Sequence, residues 1–132
     1  MPHELKSLTP NLIVSDVSQS IKFYRDVLGF TLGPTVPEAE PYVFAIVQSG
    51  PVQIYFNAPG PAIDEYPALK RRPLGGTLTL FISVADIRRV YDDLRDKVTI
   101  IMPLEHKWYG VTEFAFVDPD GYVITYAEQD PS

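Results

Sequence analysis

Residues 77–98 read TLTLFISVADIRRVYDDLRDKV, and they repeat an earlier part of the chain. Leu78, Leu80, Ile82 and Val84 alternate with Thr77, Thr79, Phe81 and Ser83, the period of a strand with one apolar face. Asp86 then precedes a stripe of Ile87, Tyr91, Leu94 and Val98 at helical spacing, and reads as the cap of that helix. Each of these five residues lies 70 positions after a counterpart: Asp16, Val17, Ile21, Tyr24 and Leu28. The earlier copy runs from a strand at 8–14 through Asp16 into a helix that Gly29 stops in the left-handed conformation. A strand, a capping aspartate and an apolar stripe recurring in register imply an internal duplication.

Working outward, the first copy continues with a strand over Phe30–Thr35, a loop over Val36–Pro41, and a hairpin. Tyr42–Val47 and Val52–Phe56 form that hairpin about Ser49-Gly50-Pro51. The second copy continues with a strand at 98–102, a loop at 103–110 and a closing hairpin within residues 108–128, WYGVTEFAFVDPDGYVITYAE. Its turn signal is Asp118-Pro119-Asp120-Gly121, where proline fixes φ and glycine permits a positive value. Residues 58–76, APGPAIDEYPALKRRPLGG, break both patterns and read as a linker with one short turn of helix at Ala68–Lys70. Its Lys70-Arg71-Arg72 cluster reads as a solvated loop. The predicted architecture is α+β: one domain of two tandem βαβββ modules, about 7–57 and 77–128, joined by the linker 58–76.

Composition bounds the function. A chain of 132 residues, 45% apolar and 21% charged, buries a real core without a disulfide or structural metal. It has no cysteine, which excludes a disulfide scaffold, a thiolate zinc site and a cysteine nucleophile. No apolar run approaches a membrane span and the first ten residues lack a signal peptide's apolar core, so a cytoplasmic protein with no membrane partner is expected. The formal charge of −6 argues against a nucleic-acid surface and is compatible with a cationic ligand.

The VSDVSQSIKFYRDVLGF block at 14–30 and FVDPDGYVIT at 116–125, set in paired βαβββ units, resemble the vicinal oxygen chelate superfamily. That superfamily includes glyoxalase I, extradiol dioxygenases, fosfomycin-resistance enzymes and bleomycin-resistance proteins, and the resemblance covers about residues 7–128. It implies two curved mixed sheets around a cleft, with helices on the convex side. In metal-dependent members the ligands are His, Gln or Glu near the start of each module's first strand and Glu or Gln in its last strand. Counting from Val14-Ser15-Asp16, Val84-Ala85-Asp86 and the two hairpin glycines carries those positions to Thr9, Thr79, Thr125 and Gln53. Threonine hydroxyls are poor ligands for a divalent transition metal, and one amide oxygen does not hold such an ion. His3 and His106, the only histidines, fall in the tail and a loop. No metal and no cofactor are therefore expected.

The resemblance is stronger to the bleomycin-resistance branch, whose Trp-Gly…Glu-Phe block is matched by Trp108-Tyr109-Gly110-Val111-Thr112-Glu113-Phe114 with one residue inserted. That branch implies a homodimeric, antibiotic-sequestering protein with an aromatic crevice and no metal. Strand parity places Asn11, Tyr55 and Phe81 on the face of Thr9, Gln53 and Thr79, and Glu113 and Ala115 correspond by position before the turn to Tyr42 and Phe44. The expected ligand-binding set is Asn11, Tyr42, Phe44, Gln53, Tyr55, Phe81, Trp108 and Glu113, with no catalytic residue. A cationic or aromatic small molecule is the expected partner, held in a cleft at a dimer interface. Two alternatives stand beside it: a metal-dependent lyase, isomerase or dioxygenase with an atypical ligand set, and a dimeric interaction domain.

Overall fold

Asp16 starts the first helix as an N-cap: its backbone is extended and its carboxylate accepts from Gln19 N at 3.2 Å. This computed structural model describes residues 3–131. The chain divides into two units, each holding one four-stranded mixed sheet, so the fold is α+β with two βαβββ modules.

In the first unit β1 (Asn11–Ile13) leads to α1 (Val17–Lys22), which continues as a π-helical turn over Phe23–Val27. Gly29, at φ 83°, ends it: Gly29 N donates to Arg25 O, the 5→1 bond of a left-handed stop, and Phe30 N reaches back to Tyr24 O across the widened π turn. Then come β2 (Thr31–Val36), β3 (Phe44–Ser49) and β4 (Val52–Asn57), in the spatial order β1-β4-β3-β2. β1 runs parallel to β4, and the other pairs are antiparallel. Leu12, Ala45, Val47, Ile54 and Phe56 alternate onto one face and are buried, as are Val17, Ile21 and Tyr24 of the helix. Tyr24 joins the two layers, its ring 5.0 Å from that of Phe56. The stretch read as an irregular linker contains α2 (Pro59–Glu65) and a 3-10 turn, Pro67–Leu69. Pro59 and Pro61 fall in the first turn of α2, where a missing N–H costs no helical bond.

The second unit repeats the plan. β5 (Thr79–Ser83), α3 (Ile87–Leu94), β6 (Thr99–Lys107), β7 (Val111–Val117) and β8 (Val123–Gln129) give the order β5-β8-β7-β6, with β5 parallel to β8. Ile87 and Leu94 are buried with Leu80, Phe114, Phe116, Ile124 and Tyr126, and Tyr91 meets Phe114 edge-on at 4.9 Å.

Two local expectations change here. Asp86 does not cap α3: it lies in the left-handed region at φ 58°, and its carboxylate makes no cap bond. Glu128 of β8 supplies the cap, accepting from Asp86 N at 2.9 Å and Ile87 N at 3.2 Å. β6 also runs on past Pro103 to Lys107, leaving only residues 108–110 as a turn. It is an edge strand, where a residue without an N–H is tolerated, and its pairing with β7 shifts register on either side of Met102. β2, the edge of the first sheet, shifts register between Leu32 and Thr35, around Gly33-Pro34. His106 thus stands on β6, with its Nε2 2.9 Å from Asp130 Oδ2.

The DPDG turn is built around Asp118. Its buried carboxylate accepts from Asp120 N at 2.9 Å and Tyr122 N at 3.0 Å, and Gly121 takes φ 87°. Gly75, at φ 77°, packs so closely on this turn that a methyl group there would collide with Asp120 O and Gly121 C.

Candidate functional site

The two sheet faces that turn away from α1 and α3 carry the polar and aromatic side chains of interest. In the first unit, direct pairing of Asn11 with Tyr55 and Tyr55 with Ile46 puts Asn11, Gln53, Tyr55 and Phe44 on one face, together with Asn57. Phe44 and Tyr55 meet edge-on at 5.3 Å, and Asn57 donates its side-chain amide to the Asn11 carbonyl oxygen. The result is an aromatic pair beside an amide pair, neutral and partly exposed. Tyr42 lies just before β3, so strand alternation does not fix its direction; it is half-buried.

In the second unit, Phe81 pairs with Thr125 and Thr125 with Ala115, while Ala127 pairs with Glu113. Phe81 and Glu113 therefore share a face with β8 between them. Phe81 is 61% exposed, a large apolar surface left on a strand. Trp108, 93% exposed, stands in the turn between β6 and β7, its ring edge-on to Tyr109 at 5.2 Å.

Glu113 is the unusual group. Only 6% of it is exposed, yet it carries a carboxylate. Tyr109 OH donates to Oε1 at 2.8 Å, whereas Oε2 is buried and accepts from no described residue. A buried polar atom without a partner costs on the order of 1–3 kcal/mol, more when charged. The Tyr109 phenol is held above its ordinary pKa, first by this hydrogen bond, then by burial and by the Glu113 and Glu105 carboxylates, so it remains a donor.

The register also realigns the two repeats. Val14 N donates to Asn57 O just as Val84 N donates to Ala127 O, so Asn57 and Ala127 are equivalent. It follows from the pairings that Tyr55 answers Thr125 and Phe44 answers Glu113. The expected pairings of Gln53 with Thr125 and of Tyr42 with Glu113 were therefore two residues out of step. Counting from the hairpin glycine fails because Gly50 opens a two-residue turn between Ser49 and Val52, whereas Gly121 comes late in a longer one between Val117 and Val123. Faces are unaffected, since a shift of two preserves strand parity.

Residues 6–126 match the Glyoxalase/Bleomycin resistance protein/Dioxygenase superfamily. This chain belongs to that superfamily. A bleomycin resistance protein of Geobacillus stearothermophilus is 29% identical, with 91% of this chain and 94% of the relative covered, and one of Staphylococcus aureus is equally similar. Among solved structures, a glyoxalase/bleomycin resistance protein/dioxygenase from Nocardioides shares the fold with TM-score 0.79 at 22% identity, covering all of this chain and 88% of that one. TioX from Micromonospora sp. ML1 shares it with TM-score 0.76 at 17% identity, over 94% and 98% of the two chains.

The superfamily's metal positions fall in this structure on Thr9, Tyr55, Thr79 and Thr125. These offer three hydroxyls and a phenol, a donor set that does not fit a divalent transition metal. Among the described residues, no three His, Cys, Asp or Glu side chains gather to form another such set. The residue that sequence reasoning passed over is Tyr109. It is the one inserted into the Trp-Gly…Glu-Phe block, and its position four before Glu113 was the available signal.

Proposed function

We propose that this protein is a metal-free binder of a small cationic or aromatic molecule, of the bleomycin-resistance type, working as a cytoplasmic homodimer that sequesters its ligand in a cleft at the subunit interface. The site would use Asn11, Tyr42, Phe44, Gln53, Tyr55, Phe81, Trp108 and Glu113, within a single domain spanning both modules. The observation that carries this reading is Glu113: a buried carboxylate with one oxygen that no described residue partners, on the face that bears exposed Phe81. A carboxylate so placed gains most from a ligand's cationic N–H group, and neighbouring aromatic rings favour the same charge. The likeness to bleomycin resistance proteins over 91% of this chain supports the class of ligand. The neutral hydroxyls at the superfamily's metal positions support the absence of metal chemistry.

Titrating the protein with bleomycin tests this. The expected result is a saturable change in Trp108 fluorescence and a raised melting temperature, both unaffected by chelator. Absence of any response, or binding that requires stoichiometric divalent metal, would overturn the proposal. Sedimentation of the same sample should give the mass of two chains.

A further inference from the structure

Resting on that reading, we infer that Asp130 and His106 are positioning residues: together they clamp the turn that carries Trp108 and Tyr109, so that a ligand meets this edge of the site already ordered. Asp130 follows β8 and bridges both arms of the turn. Its carboxylate lies against His106 Nε2, with Oδ2 at 2.9 Å and Oδ1 at 3.1 Å. An ionised carboxylate only accepts, so Nε2 carries the proton and donates it. Asp130 N donates in turn to Gly110 O at 2.9 Å. One residue thus holds both the strand that enters the turn and the glycine that leaves it.

The turn is gripped from opposite faces of the sheet. Glu105 pairs with Glu113 and His106 with Thr112, so His106 stands on the face away from Glu113. On the Glu113 face, Tyr109 OH donates to Oε1 at 2.8 Å. Gly110 N closes the turn on Lys107 O at 3.1 Å. Packing does little here: Trp108 is 93% exposed and Tyr109 50%, and their rings meet each other edge-on. Order in the turn therefore rests on these hydrogen bonds. In a loose turn a ligand would have to fix the backbone and two rings itself, and the lost conformational entropy would weaken binding without removing any contact. His106 and Asp130 are both exposed, so their pair adds little to global stability and its effect is local.

Trp108 is the only tryptophan, so its fluorescence anisotropy reports on the turn alone. In the full chain, Asp130→Ala and His106→Ala are each expected to lower that anisotropy and to weaken bleomycin binding by about threefold, within the range an exposed ion pair supplies. Melting temperature should hardly move. His106→Ala breaks the pair while keeping the bond from Asp130 N to Gly110 O, which covers the case of a poorly folded Asp130→Ala. His106→Gln, whose amide places an N–H near the position of Nε2, is expected to restore both anisotropy and affinity. The double alanine variant should bind no more weakly than the weaker single one, since both remove the same contact. Unchanged anisotropy or unchanged affinity in a folded alanine variant, or a loss that His106→Gln does not restore, would overturn the inference. Bleomycin binding by the wild type in the same series would leave the broader proposal standing; its absence would remove both.

Discussion

Glu128 closes the helix that Asp86 precedes, its two oxygens accepting from Asp86 N and Ile87 N at 2.9 and 3.2 Å. A carboxylate at this end also faces the positive pole of the helix dipole. Glu128→Ala is expected to destabilise the protein by about 1 kcal/mol, and Asp86→Ala at its left-handed position by less than that for loss of a cap. Urea denaturation of both variants checks the order. In the first repeat the order reverses: Asp16→Ala should cost about 1 kcal/mol, because there Ala58 occupies the position of Glu128 and offers no oxygen.

Gly75 carries a second stability prediction. Its φ of 77° and its contact with the backbone of Asp120 and Gly121 both forbid a side chain. Gly75→Ala should cost roughly 2 kcal/mol or more, well beyond an ordinary surface change. Gly50→Ala, also at positive φ but with open space around it, should cost only about 1 kcal/mol. Melting temperatures of the two variants separate strain from collision.

Burial pushes the Tyr126 phenol up to about 12, so the folded protein keeps a proton that the unfolded chain gives up near pH 10. The stability this represents is complete below pH 10 and is lost as pH rises through about 12. Two pKa units correspond to roughly 2–3 kcal/mol over that interval. Tyr126→Phe should flatten the fall in melting temperature between about pH 10 and 12 while leaving neutral-pH stability nearly unchanged.

Phe44 and Tyr55 provide the aromatic half of the proposed site. Phe44→Ala should weaken bleomycin binding by about tenfold, the worth of one aromatic or cation–π contact, with a smaller effect on stability because the ring is only half-buried. Fluorescence titration beside a melting curve separates the two effects. Equal affinity in a folded variant would remove Phe44 from the site.

The duplication was legible because helix spacing tolerates no slippage: a stripe of Val17, Ile21 and Tyr24 must recur whole or not at all. Strand faces were equally legible, since parity survives the two-residue error in pairing Gln53 with Thr125. What the sequence hid were relationships made across the sheet. Glu128 is 42 residues from the amide of Asp86 that it caps, and nothing local to Asp86 shows that its backbone turns left-handed. Pro103 looked like the end of a strand because its tolerance depends on β6 lying at an edge. Tyr109 reads as an interruption of a motif, and only the folded turn brings its hydroxyl onto Glu113.

The register breaks of β2 and β6 have a further consequence. Both outer strands carry a proline at the break, Pro34 and Pro103, and β6 adds the charges of Glu105 and Lys107. An open strand edge is a template on which another chain can extend the sheet, the first step toward aggregation. A missing N–H and an irregular backbone spoil that template at matching places in both repeats. One outer strand of each sheet is thus defended against strand addition, β2 in the first repeat and β6 in the second.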